Sequence, residues 1–167
     1  GMEAAGWNVR KGIAAADAAP QPCKTLELLD TIRTRALDIL AVQETGEGPG
    51  RAVRGDATYT WYADSRAGVG GHGLGFFVRA GGLQDRVAVG LPDATCAACL
   101  WLRVEGAGRT PDLYIANVYL PVSGAAGAPA AAYTDALDAL MNDTLHFAGK
   151  GLVVLLGDLN PRVGCAT

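Results

Sequence analysis

The chain has 167 residues, a net charge of −3, and a composition that is 50% hydrophobic and 19% charged. This length corresponds to one domain with a substantial core, residues 1–167, and the composition excludes a disordered or collagen-like chain. Because the charge is negative and the arginines are dispersed among acids, composition argues mildly against a nucleic-acid partner.

The sequence also limits where the protein is expected to act. No apolar run approaches the roughly 20 residues that a membrane helix needs, so we expect no membrane partner. The first residues lack the basic and hydrophobic regions of a signal peptide. We therefore expect an intracellular protein, cytoplasmic or nuclear, that is not secreted.

A strand, a helix and a second strand open the predicted fold. Residues 7–10 predict a short strand that carries Asn8. Residues 24–37 show the spacing of an amphipathic helix. Residues 38–44 then predict a buried strand that ends at Glu44. This order favours a right-handed crossover in which the two strands run parallel.

The middle of the chain predicts an antiparallel series of short strands and then a helix. A glycine-rich loop is expected at residues 46–56, and turn residues separate the strands that follow. These strands comprise residues 58–63, 74–79, 86–89, 96–104 and 113–122. A helix over residues 130–148 follows. Its predicted apolar face comprises Tyr133, Leu137, Leu140, Met141 and Leu145.

The last predicted strand carries the first candidate site. Five consecutive apolar residues, 152–156, predict a central strand that is buried on both faces. Gly157 ends the run, and Asp158 and Asn160 follow on alternate positions, so their side chains are expected to point the same way. Open sheets place functional groups at such carboxyl ends.

Together the elements predict an α/β sandwich in four layers, α/β/β/α, with mostly antiparallel sheets. Polar side chains follow several of its buried strands: Asn8, Glu44, Asp158 and Asn160. Their oxygens suit Mg²⁺ or Mn²⁺. Any one of these residues alone is more often explained by a turn or capping role than by metal binding. Four such residues at the ends of buried strands, however, indicate a metal site.

Other reactive residues give weaker signals. Cys96 and Cys99 form a C-x-x-C pair, which suits half of a zinc site or a redox pair, but two small buried residues are the more frequent explanation. His146 lies on the second helix, where we expect a structural role. His72 lies in a glycine-rich loop, where solvation is more frequent than ligand binding. No G-x-S-x-G motif supports a serine hydrolase.

Five short motifs occur in chain order from one end of the sequence to the other. They are W-N-V-R (7–10), D-I-L-A-V-Q-E-T (38–45), G-L-G-F-F-V (73–78), N-V-Y-L-P (117–121) and G-D-L-N-P-R-V-G (157–164). With them the chain resembles the endonuclease/exonuclease/phosphatase superfamily, Mg²⁺-dependent enzymes related to abasic-site endonucleases. The last motif is most similar to the endonuclease domains of non-LTR retrotransposons.

The resemblance implies a role for each matching residue. Glu44 resembles the metal-binding glutamate, and Asn8 the asparagine that supports the metal and the catalytic aspartate. Asp158 resembles the aspartate that orients or deprotonates the attacking water. Asn160 resembles its phosphate-contacting neighbour, and Tyr119 the tyrosine that touches the scissile phosphate. The implied function is Mg²⁺-dependent phosphodiester hydrolysis, with DNA as the substrate that is nicked.

The chain also departs from the family. It lacks the S-D-H motif and the final strands of the fold, so we expect a domain truncated at its C-terminus and a poor catalyst. An uncovered sheet edge invites pairing, so we expect a homodimer through that edge. Two alternatives stay open. One is a phosphatase or phospholipase acting on a small or lipid phosphoester, and the other is a catalytically impaired remnant of the fold.

Overall fold

In a computed structural model, the described residues are 2–8, 37–43, 45, 51–55, 58–64, 73–120 and 130–158. The strands among them are β1 (Ala4–Asn8), β2 (Ile39–Gln43), β3 (Arg51–Gly55), β4 (Tyr59–Asp64), β5 (Leu74–Arg79), β6 (Val87–Val89), β7 (Cys99–Val104), β8 (Asp112–Tyr119) and β9 (Gly151–Asp158). The helix α1 spans Ala130–Ala148, and a short 3-10 helix, Leu83–Arg86, precedes β6.

These strands form two sheets. The first has the order β1-β2-β5-β4-β3 and the second the order β6-β7-β8-β9. β1 is parallel to β2, and β9 is parallel to β8, while the other described pairings are antiparallel. The predicted α/β class, the mostly antiparallel sheets and the parallel opening pair are confirmed. The helix predicted at residues 24–37 lies, except for residue 37, outside the described residues.

Apolar clusters on alternate faces of the strands define the layers. In β2, Ile39 and Ala41 pack between the two sheets, while Leu40 and Val42 pack on the outer face of the first sheet. β2 is therefore buried on both faces, as its continuous apolar run predicts. On the outer face of the second sheet, α1 inserts Phe147, whose ring lies 4.6 Å from that of Trp101.

One predicted loop is a strand. Residues 46–56 were expected to be irregular because they are glycine-rich and charged, yet Arg51–Gly55 forms β3. β3 pairs antiparallel with β4 at the edge of the first sheet. An edge strand needs only one hydrogen-bonded neighbour and little apolar alternation, so its sequence carries a weak signal. Val53, at its centre, is 67% exposed.

β9 differs from its prediction in position and burial. Among the described residues it is the last strand of the second sheet instead of a central strand. Leu152 is 59% exposed, Val154 38% and Leu155 40%, so the run is not buried on both faces. The prediction of two-sided burial is wrong for these residues, because an apolar run does not determine where its strand lies in a sheet, and within the described part of the chain β9 has a neighbouring strand on one side only.

α1 has its predicted limits but a rotated buried face. Tyr133, Leu137 and Leu140 pack against the second sheet as predicted, together with Ala136 and Phe147. Met141 and Leu145, also predicted on this face, are 51% and 70% exposed. No helix among the described residues has the length and apolarity needed to cross a membrane.

A buried carboxylate on α1 causes this rotation. Asp143 is 2% exposed and accepts hydrogen bonds from the backbone N–H groups of Thr95 and Cys96, each at 2.8 Å. The Thr95 hydroxyl donates to it at 2.7 Å and the Trp101 indole N–H at 3.2 Å. These donors satisfy a group that would be costly to bury alone. They join α1 to the loop between β6 and β7.

Of the two thiols of the C-x-x-C pair, Cys96 belongs to this loop and Cys99 begins β7. Cys96 and Cys99 are free, 5% and 7% exposed, and their sulfur atoms lie 2.7 Å apart. The hydrogen bond that the Cys99 thiol donates to Cys96, and then burial, raise the pKa of Cys99, which keeps its thiol protonated. The interpretation as buried small residues is confirmed.

His146 has the structural role that its helical position predicts. Its Nε2 lies 2.7 Å from the Asp93 carboxylate, to which Lys150 also donates at 2.9 Å. The hydrogen bonds from Lys150 and His146 lower the pKa of Asp93 to about 2. This exposed cluster fastens the end of α1 to the loop between β6 and β7.

We predict that Asp143→Ala destabilises the fold by about 3 kcal/mol, because buried donors lose their common acceptor. Urea unfolding at neutral pH measures this change. Asp138→Ala removes an exposed carboxylate from the same helix and should change the free energy of unfolding by less than about 0.5 kcal/mol. Equal effects of the two substitutions would contradict this account of Asp143.

Candidate functional site

Four strands end at one edge of the sandwich. In the parallel pair β1–β2, the last residues Asn8 and Gln43 are partners in register. In the parallel pair β8–β9, the last residues Tyr119 and Asp158 are partners. We call the edge where these four residues lie the carboxyl edge. Parallel pairing therefore places Asn8, a predicted site residue, beside Gln43, and it places two predicted site residues, Tyr119 and Asp158, beside each other.

The two sheets approach each other closely at this edge. A Cβ atom built on Gly6 of β1 would lie 3.3 Å from the backbone nitrogen of Gly157 in β9. Gly6 lies two residues before Asn8, and Gly157 directly precedes Asp158. Because neither glycine carries a side chain, the backbones of β1 and β9 can lie in contact here. The ends of strands from different sheets thus converge.

Gly157 is required for a second reason. Its φ angle is +119°, a conformation that residues with a side chain rarely adopt. A Cβ at this position would also clash with the carbonyl oxygen of Val118 in β8. The glycine of the G-D-x-N motif therefore sets the backbone direction at Asp158.

A buried carboxamide joins the sheets next to the carboxyl edge. Asn117 of β8 is fully buried, and its Nδ2 donates to the carbonyl oxygens of Val42 at 3.0 Å and Gly75 at 2.8 Å. Its Oδ1 accepts a hydrogen bond from Gln43 Nε2 at 2.7 Å. Gln43 is 2% exposed. This network connects β8 directly to β2 and β5, one residue before Glu44 and two before Tyr119.

Further polar residues lie along the same edge. Tyr119 is half-buried, and its backbone N–H donates to Ala98 at 3.0 Å. Asp64, the last residue of β4, is 6% exposed and pairs in register with Leu74, which also pairs with Gln43. Thr45, just beyond β2, is fully buried. The carboxyl edge is therefore polar across both sheets.

The structure brings three of the predicted positions together: Asn8, Tyr119 and Asp158. For Asn8 and Asp158, it is the backbone positions that lie together. Glu44, Asn160 and His72 lie outside the described residues. Within the described residues, no group of three or more His, Cys, Asp or Glu side chains is arranged to hold a metal ion.

Three polar residues at this edge were not predicted from the sequence: Gln43, Asp64 and Asn117. For Gln43 and Asn117 a signal existed, since each is a carboxamide within or directly after an apolar run. A buried amide in such a run must find partners, so it indicates a cross-strand network. Asp64 had no comparable signal.

Known structures share this fold. A conserved protein of unknown function from Enterococcus faecalis is 16% identical, with a TM-score of 0.61 and coverage of 98% of this chain and 68% of that chain. D. rerio TDP2 is 14% identical, with a TM-score of 0.57 and coverage of 99% and 63%. The human Nocturnin catalytic domain is 15% identical, with a TM-score of 0.51 and coverage of 97% and 65%.

At these identities the likeness concerns the fold alone. The chain spans between 63% and 68% of the length of these three structures. Comparison with curated protein sequences gave no match.

The sequence profile of the Endonuclease/Exonuclease/phosphatase family matches residues 5–160, nearly the whole chain. The chain belongs to this family. Membership assigns it to the nuclease and phosphatase type of proteins, whose chemistry is phosphoester hydrolysis. The predicted resemblance is confirmed, while an origin in a retrotransposon stays a prediction.

We predict that Gly157→Ala destabilises the fold by at least about 2 kcal/mol, because it adds a positive-φ penalty to a clash with β8. Thermal unfolding followed by circular dichroism measures the loss. Gly82→Ala is the matched control, since Gly82 also has a positive φ, +110°, but open space around its Cβ. If Gly82→Ala destabilises the fold as much as Gly157→Ala does, the close approach of β8 and β9 contributes nothing to the loss of stability in Gly157→Ala.

We predict that Asn117→Leu costs about 2–4 kcal/mol, because the volume is kept while the buried Gln43 amide loses its acceptor. The free energy of unfolding in urea measures this cost. Asn142→Leu, at an exposed position of α1, should be nearly neutral. A double variant Gln43→Leu/Asn117→Leu should be more stable than Asn117→Leu alone, since it no longer buries the Gln43 amide without its acceptor. A less stable double variant would contradict the proposed pairing.

Proposed function

We propose that the carboxyl edge carries a divalent-metal-dependent phosphodiesterase site and that the chain acts as an endonuclease that nicks DNA. The observation that carries this proposal is the convergence of strand ends: Asn8 beside Gln43, Tyr119 beside Asp158, and Gly6 against Gly157. Chemistry on a phosphodiester needs several polar groups held at fixed relative positions. Two sheets joined by a buried amide network supply such a support.

Enzymes of this family generally depend on a divalent metal ion. Glu44 directly follows Gln43, whose partner in register is Asn8. Carboxylate and carboxamide oxygens are ligands that Mg²⁺ and Mn²⁺ accept, so the donor set fits, and Glu44 and Asn8 would hold the ion. A bound Mg²⁺ would neutralise charge on the non-bridging phosphate oxygens.

The other residues act on the phosphate and on the attacking water. Asp158 would accept a hydrogen bond from the water and orient it for in-line attack. Tyr119 would donate its phenol hydrogen, and Asn160 its amide hydrogen, to phosphate oxygens. Asn8 would also hold the Asp158 carboxylate in position. Each of these roles is the one that the resemblance to the family implies for the residue at that position.

DNA is the favoured substrate for two reasons. The last motif, residues 157–164, resembles the corresponding stretch of retrotransposon endonuclease domains, a resemblance that supports the proposal without testing it. One solved structure of the same fold, D. rerio TDP2, was obtained with a single-strand DNA product. The net charge of −3 favours the second candidate, a phosphatase or phospholipase acting on a small or lipid phosphoester, because it provides no broad basic field for a polyanion.

We predict nicking of supercoiled plasmid in Mg²⁺ or Mn²⁺, abolished by EDTA, and a drop of at least about 100-fold in Asp158→Ala. The assay uses protein in excess over plasmid, so that even slow turnover gives a measurable fraction of nicked circles. Asp138→Ala, on the exposed side of α1, is the matched control and should nick at the wild-type rate. Nicking that survives in Asp158→Ala would place the activity elsewhere.

Parallel assays separate the alternatives. Hydrolysis of an inositol phosphate without plasmid nicking would support the phosphatase or phospholipase. A folded protein that is inactive on both substrates would support the impaired remnant. Titration of Mn²⁺ by calorimetry tests the metal site independently of turnover, since Glu44→Gln should weaken binding at least about 10-fold while Glu105→Gln, at an exposed turn, should not.

A further inference from the structure

The loop between β6 and β7 ends in a turn that carries both cysteines of the C-x-x-C pair. The backbone N–H of Cys99 donates to the carbonyl oxygen of Cys96 at 3.4 Å, which closes a turn over residues 96–99. We call these residues the cysteine turn. The end Cα atoms of such a turn lie less than about 7 Å apart, and a disulfide requires about 4.4–6.8 Å. The backbone of the cysteine turn therefore suits a bond between its two sulfur atoms.

The two side chains of the cysteine turn point toward each other. The Cys99 thiol donates a hydrogen bond to the Cys96 sulfur, and the two sulfur atoms lie 2.7 Å apart. Since a disulfide bond is about 2.05 Å long, the sulfur atoms need to move by less than about 1 Å to form it. Small residues that only fill volume in a core do not need to meet in this way.

The two thiols are chemically unequal. The hydrogen bond from Cys99 lowers the pKa of Cys96, while the same bond and burial raise the pKa of Cys99. The thiolate is the form that attacks a disulfide sulfur. Cys96 is thus suited to make the first attack, and Cys99 is suited to attack Cys96 in the mixed disulfide that results.

Cys96 lies close to the surface, although only 5% of it is exposed. Its neighbours in the chain, Thr95 and Ala97, are both exposed. The backbone N–H groups of Thr95 and Cys96 donate to Asp143, which holds the start of the turn. A local opening of this loop is enough to bring the Cys96 sulfur to a small reagent, without unfolding of the core.

The other end of the cysteine turn is attached to the carboxyl edge. The carbonyl oxygen of Ala98 accepts a hydrogen bond from the backbone N–H of Tyr119 at 3.0 Å. Cys99 is the partner in register of Val118, which directly precedes Tyr119. Tyr119 is in turn the partner of Asp158. A covalent bond across the cysteine turn therefore restricts the segment that holds the backbone of Tyr119.

We propose that the cysteine turn is a reversible redox switch, in which Cys96 and Cys99 form a disulfide that orders the backbone at Tyr119. The co-reactant is a small-molecule disulfide of the glutathione class. The Cys96 thiolate attacks one of its sulfur atoms and releases the first small thiol. The Cys99 sulfur then attacks Cys96, which forms the intramolecular bond and releases the second small thiol. The two cysteines lose two electrons, and their two protons end on the two released thiols.

The direction of the effect follows from contacts that exist before the bond forms. The turn is already closed, and its two ends are already held by Asp143 and β8. The disulfide therefore forms with little movement of the fold and mainly removes conformations from the open and unfolded states. We expect the oxidised protein to be the more stable form, with rarer opening around Tyr119. This switch goes beyond phosphodiester hydrolysis, since it forms whether or not the carboxyl edge is catalytic.

The first test is the mass of the intact protein after reaction with oxidised glutathione at neutral pH. The protein carries Cys23→Ser and Cys165→Ser, so that the cysteine turn supplies its only thiols. It should lose the mass of two hydrogen atoms and, once unfolded, take up no N-ethylmaleimide, while dithiothreitol should restore both thiols. Cys99→Ser in this background should instead keep one glutathione on Cys96. Cys96→Ser should take up at least about 10-fold less glutathione, since Cys99 stays protonated.

The second test measures the effect on Tyr119. The oxidised protein should unfold at a temperature at least about 3 °C higher than the reduced protein. Hydrogen exchange of the Tyr119 amide, followed by NMR, should be at least about threefold slower in the oxidised protein. Cys96→Ser, treated with the same reagents, is the matched control and should show neither change. Circular dichroism verifies that each variant is folded.

Three results would overturn the proposal. If the folded protein keeps both thiols reduced in excess oxidised glutathione, or forms disulfides only between molecules, the pair is not a switch. Equal uptake of glutathione by Cys96→Ser and Cys99→Ser would contradict the assigned order of attack. An oxidised protein with unchanged exchange at Tyr119 would separate the disulfide from the carboxyl edge. None of these measurements uses catalytic activity, so a failure of the proposed function leaves them unaffected.

Discussion

The buried carboxamide of Asn117 is the interaction on which the arrangement of the two sheets depends most. Apolar packing between sheets is strong but has no direction, so it permits sliding of one sheet over the other. The hydrogen bonds from Asn117 to Val42 and Gly75, and from Gln43 to Asn117, are directional and fully removed from water. Sliding would leave these groups unpaired, so one relative position is strongly preferred.

A steric constraint acts together with this network at the same edge. The contact of Gly6 with Gly157 sets how closely the sheets approach, while the Asn117 network sets their offset. Both lie within two residues of a candidate site residue. A site assembled from separate strands needs such support, because misplacement by about 1 Å is enough to weaken catalysis. The carboxyl edge is thus rigid for reasons that are independent of any ligand.

The sequence predicts those features that depend on local pattern. The limits of α1 and of β5 follow from periodicity, and the apolar run of β2 correctly indicates burial on both faces. The places where apolar runs end also follow from the sequence, and Asn8 and Asp158 lie at strand ends as predicted, while their roles stay predictions. Asn117 was missed as a site residue because its role depends on which strands of the other sheet lie opposite, and sequence spacing does not encode that.

The two wrong predictions, the burial of residues 152–156 and the buried face of α1, have the same cause. The run 152–156 has the pattern of a central strand, but burial depends on the order of strands in the sheet, which forms through contacts distant in sequence. The residues Met141 and Leu145 fit an apolar helical face, yet the four donors gathered at Asp143 turn that helix toward the loop between β6 and β7. In each case a long-range interaction outweighs a local preference.

Asp158 is the last residue of β9, which within the described part of the chain pairs on one side only. A strand with hydrogen bonds on one side only opens at a lower free-energy cost than a strand paired on both sides. Along β9 the apolar groups are exposed, and the residue that ends the strand is the one expected to orient the attacking water. Any strand that pairs with β9 raises the cost of opening it and so narrows the positions that Asp158 can occupy. The backbone pairing of β9 and the position of Asp158 therefore depend on the same strand.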